Sequence, residues 1–192
     1  MNIGIDIDDT LSTLFKLKIK FVKKYCKQKN WKYKFKSSES SFFSQMFEWP
    51  SEEDFKMFWN EKMDTMLSIA PLRKGVVNVL NKLKKQGHKL IIITARSEAD
   101  HKKPYEMSYD WLTKNKIPFD KLFVGHLNKS HICLDEKIDI FIDDYPKNII
   151  EVGEIGVETI LIEAPHNKNF DGETQRAKNW KQIYKLIQER NK

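Results

Sequence analysis

The sequence predicts an α/β fold: a parallel sheet of about five strands, helices on both faces, and a small helical cap inserted after the first strand. Three observations predict it. Short apolar runs bounded by turn residues recur at 2–7, 89–96, 121–125, 138–144 and 158–162, the texture of strands buried on both faces. Stretches with helical spacing of apolar residues separate them, as parallel βαβ units require. A segment dense in aromatics, with Phe42, Phe43, Phe47, Trp49, Phe55, Phe58 and Trp59, lies between the first and second runs.

Each element follows from its residues. NIGIDI (2–7) is a short buried strand that stops at carboxylates. Leu14, Phe15, Leu17, Phe21, Val22 and Tyr25 then repeat at helical spacing with lysines in the gaps. KSSESS (36–41) is a polar break, and Ser51 followed by Glu52, Glu53 and Asp54 reads as an acid-rich helix start. Val76, Val79, Leu80 and Leu83 form an amphipathic helix that Gly87 closes, leading into KLIIITAR (89–96). A helix over roughly 105–114, with Trp111 and Leu112 on its apolar face, precedes KLFVG (121–125). A short helix after Asn128 and Ser130 leads to IDIFIDD (138–144), and a helix around Ile149 and Val152 leads to ETILI (158–162). Trp180, Ile183, Leu186 and Ile187 make the closing helix. This alternation is Rossmann-like. The domain expectation is a core of 1–13 and 73–192 with a cap over 14–72.

Composition narrows the class. With 192 residues, 40% apolar and 32% charged, the chain is an ordinary globular domain with one accessory module. It shows no membrane-spanning apolar run and no secretory signal, so the expectation is a cytoplasmic protein with no membrane partner. Cys26 and Cys133 are too few and too far apart for a disulfide framework or a zinc site. The net charge of +7 invites a nucleic-acid reading, but only four basic residues are arginines and the 30 lysines are scattered along the chain. That is a solvated surface rather than a nucleic-acid face.

The acids stand where ligands bind. In an open α/β sheet that place lies beyond the carboxyl ends of the strands. Asp6, Asp8 and Asp9 follow the first strand, and Asp143 and Asp144 follow IFI. Carboxylates gathered there repel one another unless a hard cation sits among them, and oxygen-only ligands point to Mg²⁺. Asp6 and Asp8, two apart in extended chain, face one site, whereas Asp9 turns away to cap the following turn. A carboxylate that attacks phosphorus, and a second that protonates the leaving oxygen and later activates water, form a phosphatase pair. Thr94 offers a hydroxyl to the phosphoryl group and a lysine from 129–137 the positive charge.

The order DIDDT, IIIT, a lysine, then IDD resembles the haloacid dehalogenase (HAD) superfamily of Mg²⁺-dependent phosphotransferases. The resemblance implies Asp6 as nucleophile, and Asp8 as acid/base and metal ligand through its backbone carbonyl. It further implies Thr94 as phosphate ligand, Asp144 as direct metal ligand, and Asp143 as ligand directly or through water. Lys129, in NKS at a helix start, is the preferred phosphate lysine, with Lys137 as competitor. A solvated surface lysine is the competing reading of Lys129.

EDFKMFWNEKM (53–63) and the His166–Asn167 pair are similar to the 5'(3')-deoxyribonucleotidase family, in which cap aromatics stack on the base. Phe43, Phe47, Trp49 and Trp59 are the substrate candidates so implied, although most aromatics of a small module serve its core. That family follows its signature Thr with Ser-Pro, where this chain has Ala95 and Arg96. Arg96 is either a further phosphate ligand or the partner of a surface acid. The expected activity is a phosphomonoesterase working through an aspartyl phosphate, with a small phosphorylated substrate, a nucleotide foremost. The alternatives are another phosphorylated metabolite, nucleic-acid 3' ends, or a non-catalytic binding module. The sequence leaves a homodimer open.

Overall fold

The computed structural model describes residues 1–40 and 42–190; Ser41, within the polar break at 36–41, lies outside them. The strands are β1 (Asn2–Ile5), β2 (Lys89–Thr94), β3 (Lys121–Val124), β4 (Ile140–Asp143), β5 (Glu158–Ile162) and β6 (Gln175–Ala177). The helices are α1 (Phe15–Lys29), α2 (Phe43–Met46), α3 (Glu52–Ser68), α4 (Val76–Lys85), α5 (Pro104–Lys114), α6 (Ser130–Asp135), α7 (Pro146–Glu154) and α8 (Trp180–Glu189). The strands form one parallel sheet in the order β3-β2-β1-β4-β5-β6. The sheet thus has six strands rather than about five. The sixth, β6, is three residues long and buries only Ala177, so no apolar run announces it.

Alternate strand residues enter opposite layers. Ile3, Ile5, Leu90, Ile92, Ile140 and Ile142 pack with residues of α4, α5 and α8, whereas Ile91, Ile93, Phe141 and Leu161 pack with α6 and α7. Gly4 is required where β1 passes the second layer: a Cβ there would lie 2.9 Å from Phe141 Cδ2 and 3.2 Å from Ile138 Cγ2. Gly4→Ala is therefore expected to destabilise the protein by about 1–3 kcal/mol, read from chemical denaturation. An unchanged midpoint would mean that Phe141 yields freely.

Helices α1 to α3 stand between β1 and β2, on two adjacent connections. Ser12 bridges Leu72, Thr13 N donates to Pro71 O (2.8 Å), and Arg73 N donates to Leu11 O (2.9 Å). Helix α3 starts as its sequence dictates, with Ser51 Oγ accepting from Asp54 N at 3.1 Å. Phe43 is the hub of the aromatic packing, with Phe47, Phe58 and Trp59 rings at 5.6, 5.5 and 6.2 Å.

The sheet places the site. The chain runs from β1 outward through β2 to β3 on one side and then crosses from β3 to β4 on the other side of β1, so a crevice opens at the carboxyl ends of β1 and β4, the topological switch point.

Candidate active site

Asp6 leaves β1 with its N–H still bonded to Ile142 O (3.0 Å), which fixes it between the two central strands. The chain then turns tightly, with Leu11 N and Ser12 N both donating to Ile7 O (2.9 and 3.0 Å). Asp8 thus sits in a turn rather than in extended chain, yet shares one cavity with Asp6. Asp9, left-handed at φ 56°, accepts from Leu14 N at 2.6 Å and so caps the approach to α1. The turn is anchored from afar: Arg73 donates to Asp9 O, and Trp180 Nε1 to Thr10 O at 3.1 Å.

Lys129 precedes α6 and reaches inward, its side chain only 1% exposed. Its Nζ lies 2.6 Å from Asp6 Oδ1 and 2.7 Å from Asp143 Oδ2. Burial pulls its pKa down, but Asp143 and Asp6 outweigh that and hold it above the ordinary lysine value. Lys137 is exposed in a left-handed turn at the opposite end of β4 and reaches none of the acids. The geometry brings Lys129, not Lys137, to the carboxylates.

Asp143 is nearly saturated, because Tyr145 N and Asn148 Nδ2 each donate to it at 2.8 Å besides Lys129. Asp144 is bracketed instead. Thr10 Oγ1 donates to its Oδ1 (2.8 Å), His166 Nε2 lies 2.9 Å from its Oδ2, and Asn167 Nδ2 donates to its backbone oxygen (2.7 Å). In the sequence the His166–Asn167 pair carries only a family resemblance, since nothing local ties it to an acid about twenty positions earlier. The three clustered acids carry too much negative charge for one ammonium. Burial raises the Asp6 carboxyl well above its ordinary range; Lys129 opposes this, and Asp143, Asp144 and Asp8 add to it. Asp144 is raised too, by burial and then by Asp143 and Asp9, against the His166 hydrogen bond.

Asp8 behaves differently. Arg96 donates through Nε to its Oδ2 (2.8 Å) and through Nη2 to its Oδ1 (2.7 Å), a two-pronged pair. Burial would raise Asp8, but the guanidinium outweighs it and holds the carboxyl below its usual range. The partner of Arg96 in this structure is thus Asp8, the residue that the HAD resemblance implies as acid/base. Thr94, buried at the end of β2, lines the same cavity, and its Oγ1 accepts from Arg96 N at 3.4 Å.

Above the acids lies a cavity of about 760 Å³, within the size range of small-molecule pockets. Of the four aromatic candidates, Phe43 and Trp59 line it and Phe47 and Trp49 do not. Phe47 is buried against Tyr33, Phe35 and Phe43, and Trp49 packs between Phe55 and Phe58. Phe42 and Phe55, indistinguishable by sequence from the other aromatics of the segment, take their places on the wall.

The donor set fits a hard divalent cation. Asp6, Asp143 and Asp144 each present a carboxylate oxygen within 4.8 Å of the others, all buried, and oxygen-only ligands suit Mg²⁺. Among the described residues, no protein hydrogen bond reaches the second oxygen of Asp6, which leaves it free to ligate. The Asp8 side chain is outside this group; its backbone carbonyl is the ligand that the HAD resemblance implies.

Comparison with known proteins places this geometry. The family described as "5' nucleotidase, deoxy (Pyrimidine), cytosolic type C protein" matches residues 1–192, the whole chain. The chain belongs to this family. A nucleotidase of Clostridium acetobutylicum is 29% identical over 189 residues, 97% of this chain and 93% of its own. A haloacid dehalogenase-like hydrolase of Streptococcus pneumoniae has the same fold, with a TM-score of 0.69 at 13% identity over 97% of each chain. So does a Bacillus subtilis HAD-hydrolase solved bound to magnesium, with a TM-score of 0.68 at 14% identity over 97% of this chain and 98% of its own. This member of the 5'-nucleotidase family is accordingly a phosphatase, with the fold of the HAD hydrolases. No helix of the described residues is long and apolar enough to cross a membrane.

Proposed function

We propose that this protein is a Mg²⁺-dependent phosphomonoesterase that hydrolyses nucleoside monophosphates through an aspartyl phosphate on Asp6. The observation that carries the reading is Asp6 itself. It is a buried carboxylate 2.6 Å from Lys129, clustered with Asp143 and Asp144, at the floor of an aromatic-walled cavity.

Asp6 attacks phosphorus, the ester bond breaks, and Asp8, in the protonated form that the Arg96 fork disfavours, delivers its proton to the leaving alcohol. Water then attacks the aspartyl phosphate as Asp8 takes its proton, and Asp6 is freed. Lys129 and the Thr94 hydroxyl hold the phosphoryl oxygens as their charge spreads. Asp6, Asp144 and the Asp8 carbonyl would hold the Mg²⁺, with Asp143 beside them, and the ion would supply positive charge to stabilise the transferring phosphoryl group. Residues 14–72 act as a cap, with Phe42, Phe43, Phe55 and Trp59 facing the nucleobase and excluding bulk water.

Phosphate release from a panel of ribo- and deoxyribonucleoside monophosphates, sugar phosphates and a 3'-phosphorylated oligonucleotide, with Mg²⁺ and with EDTA, tests the reading. The expected result is turnover concentrated on the nucleotides and lost on chelation. Preference for a sugar phosphate or for the oligonucleotide would replace the substrate class, and turnover that survives EDTA would remove the metal.

A further inference from the structure

Arg96 occupies the second position after Thr94, where a phosphate ligand is the obvious use of a cation. Its donors are committed elsewhere. The side chain is 2% exposed, its Nε and Nη2 grip both oxygens of Asp8, and its Nη1 points to Ser108 Oγ on α5 at 3.4 Å. A guanidinium held by a fork at one end and by α5 at the other is a template rather than a free charge. What it templates is one carboxylate, which also borders the cavity.

We propose that Arg96 is a positioning residue: it fixes the rotation of the Asp8 carboxyl so that one oxygen is presented to the leaving-group side of the phosphoryl centre. This rests on the proposed roles of Asp6 and Asp8. Lysine cannot substitute, because an ammonium is a point charge that leaves the carboxylate free to turn. Misplacing a reacting group by about 1 Å costs about 10²-fold in rate. The consequence is selective. A nucleoside leaves as an alkoxide that must be protonated, so its release depends on where Asp8 stands, whereas a nitrophenolate leaves without a proton.

The test is single-turnover release of the leaving group, with enzyme in excess and Mg²⁺ present, from a nucleoside monophosphate and from para-nitrophenyl phosphate. Arg96→Lys keeps the buried charge balance and so spares the fold, which circular dichroism checks. Nucleoside release is expected to slow by about 10²-fold and nitrophenolate release by less than about 10-fold. Inhibition by inorganic phosphate should change by less than about threefold, because Arg96 does not hold the phosphoryl group in this scheme. In an Asp8→Asn background, adding Arg96→Lys should slow nothing further, since Arg96 acts only through Asp8.

Equal slowing of both leaving groups with weakened phosphate inhibition would make Arg96 a phosphate ligand and overturn the proposal. So would unchanged release of both, or a further loss in the Asp8→Asn background. Dependence of both releases on Asp6 tests the underlying reading separately, because it concerns phosphoryl transfer and not the ratio between leaving groups.

Discussion

Asp6→Asn lowers kcat on any phosphomonoester by about four orders of magnitude or more, with the fold retained. An amide cannot form the acyl phosphate, and the neighbouring carboxylates cannot stand in for it: Asp143 is engaged by Lys129, Tyr145 and Asn148, and Asp144 by Thr10 and His166. The same substitution has a stability signature. The folded-state pKa of Asp6 is raised, chiefly by burial, so its contribution is full at low pH and lost as pH rises through that value. Asparagine does not ionise and escapes the loss. In EDTA the Tm of the variant relative to wild type should therefore climb as the pH rises above the ordinary carboxylate range of about 4. Mg²⁺ should raise the Tm of wild type more than that of the variant, since a ligand of the ion is gone. Turnover within tenfold of wild type would show that the nucleophile is elsewhere.

The sequence was most informative where chemistry is tied to strand ends. Asp6, Thr94 and Asp143–Asp144 each end or follow an apolar run, and parallel strands bring such ends together whatever the loops do. Strand order, by contrast, is set by helix packing, and nothing local in 2–7 says that β1 lies between β2 and β4. The Asp8–Arg96 pair spans 88 positions and was equally hidden. Within the aromatic tract, Phe42 and Phe47 have the same chemistry and opposite fates, one at the cavity and one in packing. That choice follows from how α2 is pinned by the Phe35–Phe47 bridge, a pairing across the polar break that carries no periodic signal. Strand β6 escaped because three residues with one buried side chain resemble any loop.

Lys129→Met should be the most destabilising single substitution in the site, costing about 3–5 kcal/mol in the metal-free protein, because it strips the cation from a buried cluster of acids. Methionine preserves most of the volume, so the loss reports charge rather than a cavity. In wild type the ammonium lies 2.6 and 2.7 Å from two carboxylates and is closed off from water. Without it, Asp6, Asp143 and Asp144 face one another with no ammonium or guanidinium bonded to any of them among the described residues. Protonating one of them relieves the repulsion, so the deficit should be largest near neutral pH and shrink as the pH falls towards 4. Mg²⁺ should recover part of it, because the ion binds the folded cluster and not the unfolded chain. Activity should fall by about 10²–10³-fold even with saturating Mg²⁺, since the phosphoryl oxygens lose a fixed positive charge. Lys137→Met, exposed and remote from the acids, is the control, expected within about 0.5 kcal/mol of wild type. Urea denaturation in EDTA and in Mg²⁺ separates the possibilities. Equal midpoints for the two variants would mean that Lys129 does not hold the cluster, and a deficit that grew at acid pH would mean that the acids are not what its removal exposes.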